Sequence, residues 1–438
     1  MSRSGLRRLA LPAIFLLAAC AGPRAAVIGA VDARDVPGAL AAYDRFRESD
    51  GADVGLLAAV AALMLEEAAL SPETGDAVAR RAAVVQLRLA GVAGYASLRR
   101  VSAAASDEVT RAAALAALAA RGDVPARQRL RALLGAEEAE VRARALAFVD
   151  PATDREALLR GLADPAASVR RAAALRLGSL RDAEAREALE AAARVDGDAQ
   201  VRGAAVRALA SQGAAAVPAL RDRLADPDAQ VRLAAARALV RADPERAPAL
   251  LGALLDMPPS AAGIEAARLL ALRATDEGAR ERARAALERA LLGPTPGLRA
   301  QAAIALVSLP ADAGGLAAVQ TALAREEVPR VRLALARAAL RREGGAGPGR
   351  AALQELLASE GMAAVQAAAL LAAEGDPGGL RRLDAALGDG DALTRRVAGR
   401  AMAREARRPD RVRPLLEDPE ILVRLHSAGG ILAASNAR

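Results

Sequence analysis

One fifteen-residue pattern returns along most of this chain at an interval too short for a globular domain. Its clearest copy is Asp226 to Val240, DPDAQVRLAAARALV. An aspartate oxygen accepts an orphan backbone N–H and proline is pre-set for a first helical turn, so Asp226-Pro227 predicts a helix start capped by Asp226. Val231, Ala234, Ala235, Ala238 and Leu239 then fall at offsets 0, 3, 4, 7 and 8, one apolar stripe of a 3.6-residue helix. The stripe is narrow and mostly alanine. Such a helix lets another approach closely but cannot build a core alone.

The neighbours come at a nearly fixed spacing. With Val231 as anchor, equivalents stand at Val109, Val141, Val169, Val201, Ile264, Leu298, Val331, Val365, Thr394 and Val423, 28 to 34 residues apart. That interval suits two short helices and two turns. Aromatics are 1% of 438 residues and tryptophan is absent, so small residues at short interhelical distance must replace a central core of large ones. The expectation is an all-α solenoid of stacked antiparallel helix pairs, one elongated array in place of separate globular domains.

Alanine is so common that its periodicity alone carries little weight; the phase of the charged residues carries more. An acid lies five residues before the anchor and an arginine one after it at Asp164/Arg170, Asp196/Arg202, Asp226/Arg232, Glu326/Arg332, Asp389/Arg395 and Asp418/Arg424. Asp-x4-Val-Arg ahead of an alanine-rich helix resembles the second half of a HEAT repeat, and the short interval is most similar to the HEAT-like repeats of the phycobilisome-lyase type. The resemblance runs from about Val109 to Leu432. It implies a right-handed, armadillo-type superhelix of about 11 units over residues 105–438, with the six acid–arginine pairs forming a ladder between adjacent repeats. Val109, Ile264 and Val365 are followed by Thr110, Glu265 and Gln366, so the ladder should be broken there. An exposed rung contributes about 0 to 1 kcal/mol, which leaves stability to apolar stacking and register to the ladder.

The chain opens MSRSGLRRLALPAIFLLAAC, with arginines, an apolar run from Leu9 to Ala19, and the only cysteine. About 11 residues cannot cross a hydrocarbon layer of roughly 30 Å as a helix, so residues 1–19 read as a secretion signal. Leu17-Ala18-Ala19-Cys20 resembles the lipobox of bacterial lipoproteins, which implies cleavage before Cys20 and covalent lipid there, with no other cofactor. Two or three acyl chains, at about 0.8 kcal/mol per buried methylene, anchor permanently. Ala21, which is not aspartate, implies by the same resemblance the periplasmic face of the outer membrane. Residues 20–38, containing two prolines and three glycines, read as a short tether. Residues 39–104 read as an atypical helical cap in which Val54 to Leu65 is a buried helix, and EGGAGPG at 343–349 as a hinge. Gly429 and Gly430 fall inside the last helix, where each costs about 1 kcal/mol against alanine, so that end is expected to fray.

The net charge of +8 comes entirely from arginine, since lysine is absent; without Arg3, Arg7 and Arg8 it becomes 58 against 53, or +5. That is a mixed-charge surface, not a polybasic one. His426 has no second histidine or cysteine to complete a metal site with it, no phosphate loop is possible without its lysine, and no serine-nucleophile motif occurs. The pattern therefore gives no catalytic residues. Arg207, Arg237, Arg337 and Arg400 stand at anchor plus six, about 240° around the helix, and should face out. The HEAT resemblance implies that second helices line the concave side, placing Arg207 and Arg237 of adjacent repeats in a groove with Arg202 and Arg232 nearby. Arginine forks suit carboxylates and phosphates, so an acidic partner surface is expected there; a plain solvated face is the competing reading. The whole points to a lipid-anchored, non-enzymatic scaffold binding one or more envelope proteins, with no small-molecule substrate. Two alternatives stay open. A nucleic-acid-binding or base-acting HEAT-like protein is opposed by secretion and by the scarcity of aromatics for stacking, and a bilin lyase-like enzyme is suggested only by the repeat family's name.

Overall fold

A computed structural model describes residues 22–72, 77–255, 258–274, 276–309, 315–341 and 344–435. Among them the chain forms 25 α-helices and no strand, an all-α solenoid. It divides into two compact units, a middle one of Ala119–Ala367 and an end one of Met1–Leu118 with Ala368–Arg438.

The Val231 repeat shows how the pattern becomes structure. Its second helix is Ala229–Ala242, and the capping carboxylate is that of Asp228, which accepts from the backbone N–H of Gln230 and Val231. The sequence assigned this cap to Asp226. Two aspartates two residues apart divide the work: Asp226 sits in the preceding turn, where its carboxylate accepts the Asp228 N–H at 2.9 Å, and Pro227 shapes that turn ahead of the helix. The expected stripe is buried, and so are Ala236 and Ala242. The extra burial follows from position, because this helix packs against Ala199–Leu209 on one flank and Ala261–Arg273 on the other. A helix covered on both flanks and on the side of its own partner has room for alanine where leucine would not fit.

In the middle unit the second helices Ala139–Phe148, Ala167–Leu177, Ala199–Leu209, Ala229–Ala242, Ala261–Arg273, Pro296–Val307 and Pro329–Ala339 stand in a row, each packed on the next. First helices such as Ala183–Val195 pack on second helices and scarcely on one another. The second-helix row is thus the more closely spaced layer, and its open side is the inner face. Anchors Val141, Val169, Val201, Val231, Ile264 and Val331 are buried, and Leu298 is half-buried.

The expected hinge is mostly helical. Glu343 lies outside the described residues, and helix Ala346–Leu356 begins three positions later. A Cβ on Gly345 would come within 2.4 Å of the Ala339 carbonyl oxygen, and one on Gly349 within 2.9 Å of that of Ala336. These glycines let the segment press against the backbone of Pro329–Ala339; they serve close packing.

The expected tether is also helical. Pro23–Asp32 and Val36–Asp50 carry their prolines in the first helical turn, and Asp35 caps the second through the Gly38 N–H. Prolines that read as breaks are starts here, because their missing N–H would have been an orphan there anyway. Val54–Leu70 is a buried helix, with Leu57, Val60, Ala61 and Leu65 fully enclosed. No helix among the described residues is long and apolar enough to cross a membrane.

The last described helix, Ile421–Ala434, runs unbroken through Gly429 and Gly430, both buried. It packs on Val54–Leu70 and Ala77–Leu89, the two ends of the chain meeting inside one unit. A Cβ on Gly429 would lie 2.7 Å from the Cβ of Gln86, so glycine at 429 allows the approach whose burial offsets its entropy. Arg413, 2% exposed, donates to Asp44 at 2.6 Å across 369 residues of sequence.

Candidate functional site: rungs and inner face

The acid–arginine pattern makes cross-repeat rungs. Arg170 donates through Nε and Nη2 to Asp196 of the following repeat at 2.8 and 3.0 Å, while its Nη1 donates to the carbonyl oxygens of Asp164 and Pro165. Asp196 also accepts the Asp198 N–H at 2.9 Å. One arginine therefore ties its own turn to the next, and one carboxylate both receives the fork and shapes the turn before a helix. Arg202–Asp226 and Arg395–Asp418 repeat the geometry.

Two rungs, Arg142–Asp164 and Arg299–Glu326, include arginines that the sequence pattern passed over. The pattern asked for acid and arginine in the same repeat, whereas a rung takes the arginine of one and the acid of the next. Reading across the repeat boundary would have found both. The same rule explains most of the gaps. Arg232 would need an acid at Pro259 and instead donates to the carbonyl oxygens of Asp226 and Pro227. Arg332 departs from the rule: Glu360 stands at the required place, five before Val365, yet Arg332 pairs with Glu355. Arg424, in the last repeat, donates to the carbonyl oxygens of Asp418 and Pro419, and Asp389 accepts the Asp391 N–H. In the first repeat the anchor is Thr110 and not Val109: Thr110 is buried, and Arg111 donates to the carbonyl oxygen six residues back as Arg170 does.

The rungs are less exposed than surface ion pairs. Asp226, Asp418 and Glu326 are buried. Burial opposes ionisation of Asp226, but the Arg202 fork and the Asp228 N–H outweigh it and hold its carboxyl below the ordinary range. Arginine hydrogen bonds do the same first of all for Asp164, Asp196, Glu326 and Asp418.

The other feature lies on the inner face. Down the middle unit, anchor plus six reads Ala147, Leu175, Arg207, Arg237, Leu270, Ile304 and Arg337. Leu270 is buried, but Leu175 is 46% and Ile304 50% exposed, and the three arginines are exposed. Searching for charge alone missed the two aliphatic members of this column. Burial, and then the charge of Arg171, lower the pKa of Arg207. Arg237 donates to Glu265 at 3.0 Å, and Arg268 holds the same carboxylate at 2.7 and 2.9 Å. Arg202 and Arg232, expected near Arg207 and Arg237, donate instead to carbonyl oxygens of the turns between repeats. Arg400 is exposed on Ala392–Arg404 in the end unit.

Three hollows open along the inner row. One of about 650 Å³ sets Phe148 and Leu175 among Arg144, Arg171 and Arg176. There Arg144 pairs with Glu140, Arg171 donates to Gln200, and Arg176 donates to the Val149 carbonyl oxygen. The next, about 500 Å³, holds Arg237, Glu265, Arg268 and Ile304. A third, about 260 Å³, is lined by Ile304, Ser308, Ala334, Arg337, Ala338 and Arg341. His426 places Nδ1 2.7 Å from the Leu422 carbonyl oxygen, and burial pushes its pKa down. Among the described residues no group of three or more His, Cys, Asp or Glu side chains is placed to hold a metal. Cys20 lies outside the described residues.

The HEAT-repeat family model matches residues 143–210 and 189–271, so this stretch of the chain is made of HEAT repeats. No curated protein matches the sequence. Among solved structures, YibA of Escherichia coli is 18% identical over 64% of this chain and 92% of its own, with a TM-score of 0.33. The CpcE–CpcF complex of phycocyanin lyase from Nostoc sp. is 23% identical over 60% of this chain and 88% of that one, with a TM-score of 0.30. Human deoxyhypusine hydroxylase is 21% identical over 65% and 98%, with a TM-score of 0.25. Likenesses at this level carry no argument about what this chain binds.

Proposed function

We propose that the protein is a lipid-anchored, non-enzymatic HEAT-repeat scaffold that holds protein partners of the cell envelope on the inner face of its middle unit. The observation that supports this most is the column holding Leu175, Arg207, Arg237, Ile304 and Arg337, in which two exposed aliphatic side chains stand among exposed arginines. A face meant only for water has no use for Leu175 and Ile304 there; aliphatic anchors among arginines suit an extended protein surface. The lipobox-like run ending at Cys20 supports the anchor.

In-cell crosslinking followed by identification of captured proteins tests the scaffold. A Leu175→Asp, Arg207→Glu double variant is expected to lose a partner that wild type captures, and equal capture by both would sink the reading. A clickable palmitate analogue should label wild type and not Cys20→Ala; label on that variant would remove the anchor.

A further inference from the structure

We infer that the hollow between Pro296–Val307 and Pro329–Ala339 is the subsite for an acidic–aliphatic stretch of an extended partner peptide, with Arg337 and Arg341 taking its carboxylate and Ile304 its aliphatic side chain. This names the ligand chemistry of the inner face and rests on the scaffold reading.

Charge distinguishes this hollow from its neighbour. In the adjoining one Glu265 already satisfies Arg237 and Arg268. Here the lining among the described residues is Ile304, Ser308, Ala334, Arg337, Ala338 and Arg341, with two guanidinium groups and no carboxylate among them. Arg337, in the last turn of its helix, and Arg341, just past its end, both line the hollow, and like charges sharing one hollow repel. A carboxylate between them relieves that repulsion and meets two planar forks.

The hollow is also apolar beneath the charges. Ile304 is 50% exposed, and Ala334 and Ala338 complete the floor. Inorganic phosphate would answer the arginines and leave Ile304 in water; an aliphatic residue beside an acidic one answers both. The Ser308 hydroxyl donates to the Ala305 carbonyl oxygen at 2.7 Å, which leaves its lone pairs able to accept a peptide N–H. Among the described residues no aromatic side chain lines the hollow, so a nucleobase finds none to stack on.

The test uses the full chain and fluorescein-labelled peptides followed by anisotropy. The probe is acetyl-Asp-Leu-Asp-Leu-Asp-Leu, with the Ser-for-Leu and Arg-for-Asp versions as controls. Binding of the first is expected to weaken at least about tenfold in Arg337→Ala, Arg341→Ala, and about fivefold in Ile304→Ser. Arg160→Ala, on the exposed face of a first helix away from the inner row, should leave it within about twofold. All these side chains are exposed, and unchanged helical circular dichroism shows that the variants fold. The subsite is overturned if wild type does not bind the peptide, if the arginine pair can be removed without loss, or if the serine peptide binds as well as the leucine one. Loss of partner capture in Leu175→Asp, Arg207→Glu alongside intact capture in Arg337→Ala, Arg341→Ala would end this inference and leave the scaffold standing.

Discussion

Between Arg142 and Asp226 the repeats are joined by successive rungs, 142 to 164, 170 to 196 and 202 to 226; at Arg232 the series is interrupted, and it returns at Arg299–Glu326. On the intact side each rung is recessed, and its carboxylate also shapes the turn before a helix. At the break Pro259 stands where the acid should be, and the charge that crosses the repeat boundary is instead Arg237 to Glu265 on the inner face. The Arg237 side chain is 60% exposed, against 12% for Arg202. Adjacent repeats can thus be registered from either side of the second-helix layer. Only the recessed side leaves the inner face uncommitted, and the break uses up a guanidinium that the face would otherwise offer.

The largest effect should come from breaking a good rung. Asp226→Ala strands the part-buried Arg202 fork and the Asp228 N–H, and is expected to cost about 2 to 3 kcal/mol in urea unfolding. A cost no larger than that of a surface pair would show that the rungs are ornamental.

Acid should act on the same groups. The carboxyls of Asp164, Asp196, Asp226, Glu326 and Asp418 are all lowered in the folded chain. Their contribution is therefore fully present above the unfolded values, about 3.9 for Asp and 4.3 for Glu, and is lost as pH falls through the folded ones. A thermal midpoint that drops below about pH 4 in wild type, and drops less in Asp226→Asn, is the expected result; parallel curves would contradict it.

Restoring the missing acid should do less. Pro259→Asp gives Arg232 a carboxylate and is expected to add about 0.5 to 1 kcal/mol. The smallest change is expected of Arg232→Ala, below about 0.5 kcal/mol, and a loss equal to that of Asp226→Ala would erase the contrast between the two regions.

Much of the fold was legible because one residue type at one interval has one sensible use. A valine every 28 to 34 residues ahead of an alanine-rich run becomes a buried anchor in nearly every repeat. What was missed depended on partners distant in sequence. Gly429 reads as a weak point until Gln86 is seen beside it, and the prolines at 23 and 37 read as breaks until they prove to open helices. Phase errors came from equivalent neighbours: Asp228 takes the cap expected of Asp226, and Thr110 the anchor expected of Val109. The inner-face column was half legible. Its arginines announce themselves, but Leu175 and Ile304 look like core residues in a sequence that is 53% hydrophobic, and only their exposure marks them.

The contact of Arg413 with Asp44, and of Ile421–Ala434 with the helices near the amino end, sets an order on assembly. Repeats in the middle unit find their neighbours about 30 residues away and can close as they are made. The first helices cannot: Ile421–Ala434, which packs on Val54–Leu70 and Ala77–Leu89, is synthesised long after them, so until it has emerged that face needs some other shelter or must wait unfolded.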